Sequence, residues 1–275
     1  MERHDPGVSP EYAVIVAVDF DGTLVPAGSP PYTTASIAAL LEERRARYEM
    51  FHGQVRRFSE RGGVIAFCTG RGFDFVRAVS DRILGTQRYI FIGESGADIR
   101  VVRGRQISDL VPPYMGDMAR FLAWKPRAEQ QVKRLLGCQV QAKRHIVTFS
   151  RSPDTDIHHF QLMVEAVLRD FDPEMYGELT VTHSSNAVDI MKRTVNKGAG
   201  LSFVCQKFNI PRSVMIGDAE NDWDALLTAT VPVLVGNATP DFIDRLYGRR
   251  PDLRVMLGHD LEGVSECFDI GLCSL

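Results

Sequence analysis

The sequence predicts an α/β protein: a doubly wound, mostly parallel sheet interrupted by an α+β insertion. Five short runs are apolar without alternation, at residues 13–18 (AVIVAV), 64–68 (VIAFC), 89–92 (YIFI), 214–216 (VMI) and 231–235 (VPVLV). Continuous apolarity of that length is the habit of parallel strands covered by helices on both faces. Helical spacing separates most of them. Leu201, Val204, Cys205 and Phe208 share one helix face, as do Ile157, Phe160, Val164, Val167 and Leu168. Strands alternating with helices give a wound sheet. The middle of the chain differs, with half-buried strand patterns at 139–149 and 179–183 around a helix over 155–170. The expected organisation is a core built from residues 1–104 and 192–275, with 105–191 inserted as a cap.

Composition sets the outer bounds. The chain has 275 residues, enough for two domains, and its 44% hydrophobic and 24% charged content is ordinary for a soluble globular protein. A net charge of −3 provides no footprint for nucleic acid, and the cluster Arg44, Arg45, Arg47 is bracketed by Glu42, Glu43 and Glu49 as a solvated helix face would be. Five dispersed cysteines (Cys68, Cys138, Cys205, Cys267, Cys273) without C-x-x-C spacing argue against a disulfide framework or zinc site and point to a reducing cytoplasm. The polar start MERHDPGVSPEY is unlike a signal peptide, and no apolar run approaches the roughly 18 residues that span a bilayer.

Four constellations carry chemistry. Asp19-Phe20-Asp21-Gly22-Thr23 follows the first apolar run. Ligands of open α/β sheets sit beyond the carboxyl ends of strands, and carboxylates two apart suit a nucleophile beside a proton-handling neighbour. A plain Asp-Gly turn explains the same letters. An EF-hand does not, because its sixth and twelfth positions would be Leu24 and Pro30. Thr69-Gly70-Arg71 ends the second run, where a hydroxyl and a glycine N–H make a small anion receptor or, more simply, a helix cap.

Asn196-Lys197-Gly198 opens a helix. Lysine there opposes the macrodipole unless an anion reverses the sign, although a solvated lysine is the commoner case. It is no Walker loop, because the preceding glycine pattern is missing. Finally, Gly217-Asp218-Ala219-Glu220-Asn221-Asp222 places carboxylates four apart after a strand, suiting a hard cation with oxygen ligands. Helix capping by Asp222 and Asp224 is the alternative, but the motif is longer and denser than a cap requires. All four fall on one rim in consistent order, which independent caps and turns would not be expected to do.

Together these motifs resemble the haloacid dehalogenase superfamily of phosphatases: Asp19-x-Asp21-Gly-Thr, Thr69-Gly-Arg, Lys197 and Gly217-Asp218-x-x-Asn221-Asp222. The resemblance covers nearly the whole chain and implies a Rossmann-like core. The insertion is similar to the large α/β cap of sugar-phosphate phosphatases. Val188-Asp189-Ile190, Val235-Gly236-Asn237-Ala238 and Glu262-Gly263-Val264 resemble the sucrose-phosphatase-like branch.

The resemblance implies Asp19 as nucleophile, forming a phospho-aspartate, and Asp21 as acid and base. It implies Mg²⁺ held by Asp19, the Asp21 carbonyl and Asp218, with Asp222 either a ligand or one step behind. Thr69, Gly70, Lys197 and Asn221 would hold the phosphoryl group. The expected partner is a small phosphorylated metabolite, a sugar or disaccharide phosphate by preference, with neither nucleic acid nor membrane. A phosphomutase differs only in the acceptor that takes the phosphoryl group; a dehalogenase would need neither Asp21 nor the metal carboxylates, and a non-catalytic sugar-phosphate-binding module would have lost some of these residues.

One departure is the separation of 50 residues between Asp19 and Thr69, longer than the resemblance implies. The excess reads as helix around 42–52 with Gly53 as its break. Lys143, Arg144 and His145 fall on an expected cap strand, where they bind substrate hydroxyls or a second anion, or simply form the polar side of a sheet. Arg71 is expected at the cap interface.

Overall fold

Strand β1 (Val14–Val18) is buried at every position, and its side chains divide between two cores. Val14, Val16 and Val18 pack into one, Ile15 and Ala17 into the other. A strand with two covered faces has no polar side, hence the unbroken apolar run. The computed structural model describes residues 11–26, 33–184 and 186–273. The N-terminal decapeptide read above against a signal peptide, and Pro30, lie outside the described residues.

After β1 come α1 (Thr34–Glu43), α2 (Arg45–Glu60), β2 (Gly63–Cys68), α3 (Phe73–Leu84), β3 (Arg88–Gly93), β4 (Asp98–Arg103) and β5 (Gln106–Leu110). Next are α4 (Ala119–Leu136), β6 (Gln139–Gln141), β7 (Val147–Ser150), α5 (Ile157–Phe171), α6 (Pro173–Gly177), β8 (Leu179–His183) and β9 (Ala187–Lys192). The chain ends with α7 (Lys197–Lys207), β10 (Arg212–Gly217), α8 (Trp223–Thr228), β11 (Val231–Leu234), α9 (Pro240–Tyr247), β12 (Arg254–Val255) and α10 (Asp260–Asp269).

Two sheets result. The larger has the order β12-β11-β10-β1-β2-β3-β4-β5; the pairings from β12 through to β3 are parallel and the last two antiparallel. The fold is therefore the expected wound α/β type. The smaller sheet, order β6-β7-β9-β8, is wholly antiparallel. On it, Val147, Phe149, Val188 and Ile190 bury against α4 and α5, leaving Thr148 and Asp189, which are register partners, on the opposite face. No helix among the described residues is long and apolar enough to cross a membrane.

Three boundaries differ from the sequence reading. β5 belongs to the larger sheet, whereas the sequence pattern places residues 105–191 in the insertion. Gly104, at φ 65°, closes a β4–β5 hairpin, and β5 is a largely exposed edge strand whose polar letters hide it. The helix expected to break at Gly53 breaks instead at Arg44 (φ −104°, ψ 21°). An interior glycine costs about 1 kcal/mol, less than the burial of Tyr48, Phe51, Val55 and Phe58 along α2 returns. The single strand expected over 139–149 is a hairpin, β6 and β7. Lys143, Arg144 and His145 lie at its tip, and the backbone N–H groups of Arg144 and His145 go to the carboxylate of Glu94 instead of a ladder partner.

Candidate active site

Chain order along the larger sheet reverses at β1, with β2 and β3 on one side and β10 to β12 on the other. The carboxyl ends of the strands around such a reversal form the binding crevice of open α/β sheets. Asp19 leaves β1, Asp218 leaves β10 and Thr69 leaves β2, three neighbouring strands about 4.8 Å apart and paired in register, Val18 opposite Ile216 and Phe67. Their side chains thus emerge side by side.

The loop after β1 is indeed a tight turn: Gly22 N–H donates to Val25 O (2.7 Å), and the N–H groups of Leu24 and Val25 both reach Phe20 O (3.0 Å). Tyr48 Oη on α2 donates to Leu24 O at 2.9 Å, so the extra helical segment braces the loop from behind. Gly22 sits at φ 81°, and a Cβ there would fall 2.2 Å from Asp218 Oδ2. Only glycine lets the loop and Asp218 close on one another.

Lys197, 1% exposed, is the electrostatic centre. Its Nζ donates to Asp19 Oδ1 (2.8 Å) and Asp222 Oδ1 (2.7 Å). The lysine at a helix start is thus compensated by two aspartates; it lies buried beside Asp19, with two of its three N–H donors engaged. Burial opposes its charge, yet Asp19 and Asp222 raise its pKa above the ordinary lysine value. The other oxygen of Asp222 accepts from the backbone of Asp218 (3.0 Å) and Ala219 (3.4 Å). Fully buried, Asp222 thereby holds the loop that presents Asp218. That is more than helix capping, and less than an open ligand.

Asp19, Asp218 and Asp222 each offer an oxygen, all within 4.8 Å of one another. Thr23 Oγ1 donates to Asp218 Oδ1 at 3.1 Å. Crowding shows in the titration. Burial, then the Asp222 charge, raises Asp19 to about 7 despite Lys197. Burial, Asp222 and Asp19 raise Asp218 to about 8. Three carboxylates against one ammonium leave an excess negative charge that a cation would neutralise. The donors are hard oxygens, the set that suits Mg²⁺ or Ca²⁺.

Asp21 points elsewhere. Arg71 holds its carboxylate in a two-pronged pair, Nε to Oδ2 at 2.8 Å and Nη2 to Oδ1 at 2.7 Å, with the guanidinium 4.4 Å above the Phe75 ring. Thr69 is buried, and its Oγ1 accepts from Arg71 N (3.1 Å), a hydrogen bond that caps the turn. A cleft of about 360 Å³ gathers Asp19, Asp21, Thr69, Gly70, Asp218 and Asn221 from the larger sheet. Across it stand Gln141, Lys143, Thr148, His183, Asn186 and Asp189 from the smaller one. Of the residues expected to act in catalysis or to hold phosphate or metal, Lys197 and Asp222 do not line the cleft, and neither do the cap positions Arg144 and His145.

Sequence reasoning named Lys143, Asp189 and Asn237 without their contacts, and missed Thr148. Lys143 Nζ donates to Gly70 O (2.7 Å), and Thr148 Oγ1 to Asp189 Oδ1 (2.6 Å). Burial pushes Asp189 up and Lys143 down, each opposed by the other's charge. The available signal was a polar cross-strand pair inside otherwise apolar strands. Asn237 Nδ2 donates to Gly22 O (2.8 Å) while its Oδ1 accepts from Asp260 N (2.9 Å), tying the β1 loop to α10.

Comparison with known proteins follows the same lines. Residues 141–246 match the family described as haloacid dehalogenase-like hydrolase. A phosphoglycolate phosphatase of Methanothermobacter thermautotrophicus is 26% identical over 236 residues, covering 82% of this chain and 86% of that one. The sucrose-phosphatase of Synechocystis sp. PCC6803, solved with sucrose and phosphate, superposes with a TM-score of 0.61 at 16% identity over 94% of this chain and 98% of that one. The C-terminal domain of the trehalose-6-phosphate phosphatase of C. albicans does so with 0.62 at 15% identity, over 96% and 92%. With its four motifs on one rim of this fold, the chain is similar to the haloacid dehalogenase-like hydrolases, whose model matches residues 141–246, and shares the fold of solved phosphatases.

Proposed function

We propose that this protein hydrolyses phosphomonoesters of small metabolites, sugar phosphates foremost, using Asp19 as nucleophile and Mg²⁺ as cofactor. The observation that carries the reading is the position of Asp19: beside Lys197, within the carboxylate cluster, and lining one cleft with Thr69 and Gly70. Phosphoryl transfer asks for alignment and charge neutralisation more than for elaborate covalent chemistry. Asp19 attacks phosphorus in line, forming an aspartyl O–P bond as the bond to the leaving oxygen breaks. Asp21, aimed by Arg71, passes a proton to that oxygen and later takes one from the water that cleaves the phospho-aspartate. Thr69, Gly70, Asn221 and the remaining Lys197 donor hold the phosphoryl oxygens. Asp19, the Asp21 carbonyl and Asp218 would hold Mg²⁺, which when bound would supply the positive charge that lets a phosphate dianion enter among carboxylates. Asp222 orients Asp218 and Lys197.

The smaller sheet with α4 and α5 serves in this reading as a cap over the leaving group. Its cleft face presents amide, hydroxyl, imidazole and carboxylate groups (Gln141, Asn186, Thr148, His183, Asp189), suited to a hydroxyl-rich group. The likeness to sucrose and trehalose phosphate phosphatases is of fold and supports that class by analogy. A phosphate-release screen over mono- and disaccharide phosphates, phosphoglycolate and nucleotides is expected to find its best substrate among the sugar phosphates and to lose turnover in EDTA. Silence across the panel, or turnover that resists the chelator, refutes the reading.

A second expectation concerns pH. Cation-free Asp19 and Asp218 titrate at about 7 and about 8, well above an unfolded aspartate near 3.9. The folded state then binds more protons than the unfolded one, so this cluster's stabilisation is full at low pH and is lost as pH rises through 7 and 8. Mg²⁺ competes with those protons. Thermal melts should therefore show a larger Mg²⁺-induced rise in Tm at pH 8.5 than at pH 5.5; an equal rise at both contradicts the cation assignment.

A further inference from the structure

Between β3 and β4 the chain makes a single turn, Glu94–Gly96, in which two residues other than glycine hold left-handed backbone, Glu94 at φ 47° and Ser95 at φ 57°. Such conformations persist only where the surroundings over-determine them, and they concentrate at working parts of a protein. Here the backbone is tied to the phosphate-binding turn: Glu94 N donates to Arg71 O and Ser95 N to Thr69 O, both at 3.1 Å. Gly96 backs onto the start of α7, where a Cβ would fall 2.3 Å from Asn196 O. The turn is therefore wedged between two of the motifs that build the site.

Its side chain reaches the other way. Glu94 is 2% exposed, and both its oxygens are used on the hairpin tip of the smaller sheet. Oε1 accepts from Arg144 N at 2.7 Å and Oε2 from His145 N at 2.6 Å, lengths typical of charge-assisted bonds. The preceding residue of the same tip, Lys143, donates to Gly70 O. A carboxylate this deeply buried has those two donors only while the two sheets are docked. A second cavity of about 490 Å³, lined by Phe73, Arg100 and Arg144 among others, shares Arg71, Gln141 and Lys143 with the catalytic cleft, so the tip forms a wall common to both.

We propose that Glu94 is a clasp. Its carboxylate holds the 144 and 145 amides and so sets Lys143 against Gly70, forming the leaving-group wall of the cleft. Lys143 touches the substrate's leaving group; Glu94 is a positioning residue acting through it. The inference deepens the phosphatase reading, since it concerns the wall of the same cleft.

Backbone hydrogen exchange tests it without any turnover. Glu94→Gly removes the carboxylate while suiting the left-handed backbone, and Glu94→Gln keeps the shape without the charge. In the glycine variant, exchange at the 144 and 145 amides should rise about tenfold or more with β1 and β10 amides unchanged, and the glutamine variant should fall between. Unchanged exchange at 144 and 145 overturns the clasp; should the glycine variant not fold, the glutamine variant carries the same comparison. With p-nitrophenyl phosphate as probe, KM should rise about tenfold and kcat stay within about twofold. Faster exchange with an unchanged KM would overturn the positioning of Lys143. Absence of turnover in the wild type would strike the phosphatase reading and leave the exchange result standing.

Discussion

Asp19→Asn is expected to lower phosphate release by about four orders of magnitude or more, the scale on which losing a nucleophile acts, while leaving the fold intact. The amide keeps the shape of the carboxyl group, so packing at this buried site is preserved. Lys197 keeps Asp222 as its partner. The substitution also removes one of three crowded carboxylates, and the pKa of Asp19, raised to about 7 by burial and Asp222, marks that carboxylate as held against its preference. In metal-free buffer the variant should therefore melt no lower than the wild type at pH 8. Phosphate release and thermal melting, measured together, decide the matter. Full activity in the variant would remove the nucleophile assignment outright.

The largest effect on stability belongs to Lys197. Its ammonium is the only cation paired with Asp19 and Asp222 among the described residues, at 1%, 3% and 0% side-chain exposure respectively. Removing one partner of a buried ion pair typically costs about 3–5 kcal/mol, because the other charge stays behind uncompensated. Lys197→Met preserves length and apolar bulk but leaves Asp19 and Asp222 facing each other beside Asp218. The expectation is a fall in Tm of about 10 °C at pH 8, partly recovered by Mg²⁺ or by lowering the pH, since either removes negative charge. Adding Asp19→Asn should also restore part of the loss, because the two positions are in contact and their effects do not add. A melt within experimental scatter of the wild type would show that Lys197 is not the charge that holds the site together.

Most of the site was legible because its residues sit where strands end. Asp19, Thr69 and Asp218 each follow an apolar run whose two-sided burial leaves a clear trace, and parallel register then brings them together. Lys197 was legible as an oddity, a lysine at a helix start, although the anions that explain it are two aspartates 178 and 25 residues away in sequence. Three kinds of structure left little trace. Edge strands such as β5 are exposed and polar, so periodicity does not separate them from loops. The hairpin at 142–146 is shaped by Glu94, a contact across 50 residues that local propensity cannot encode. Gly53 shows the limit of punctuation rules, since packing along α2 carries the helix through it.

The pairing of β1 with β10 also bears on how the protein comes to life on the ribosome. β1 and β2 emerge early, but the strand on the other side of β1 begins at Arg212, and Lys197 precedes it by only 15 residues. Until α7 and β10 have emerged, the nascent polypeptide therefore carries Asp19 without the counter-charge of Lys197 or the neighbouring acid Asp218. Contacts of such long sequence separation are slow to close, so the carboxylate cluster assembles only once β10 has docked against β1.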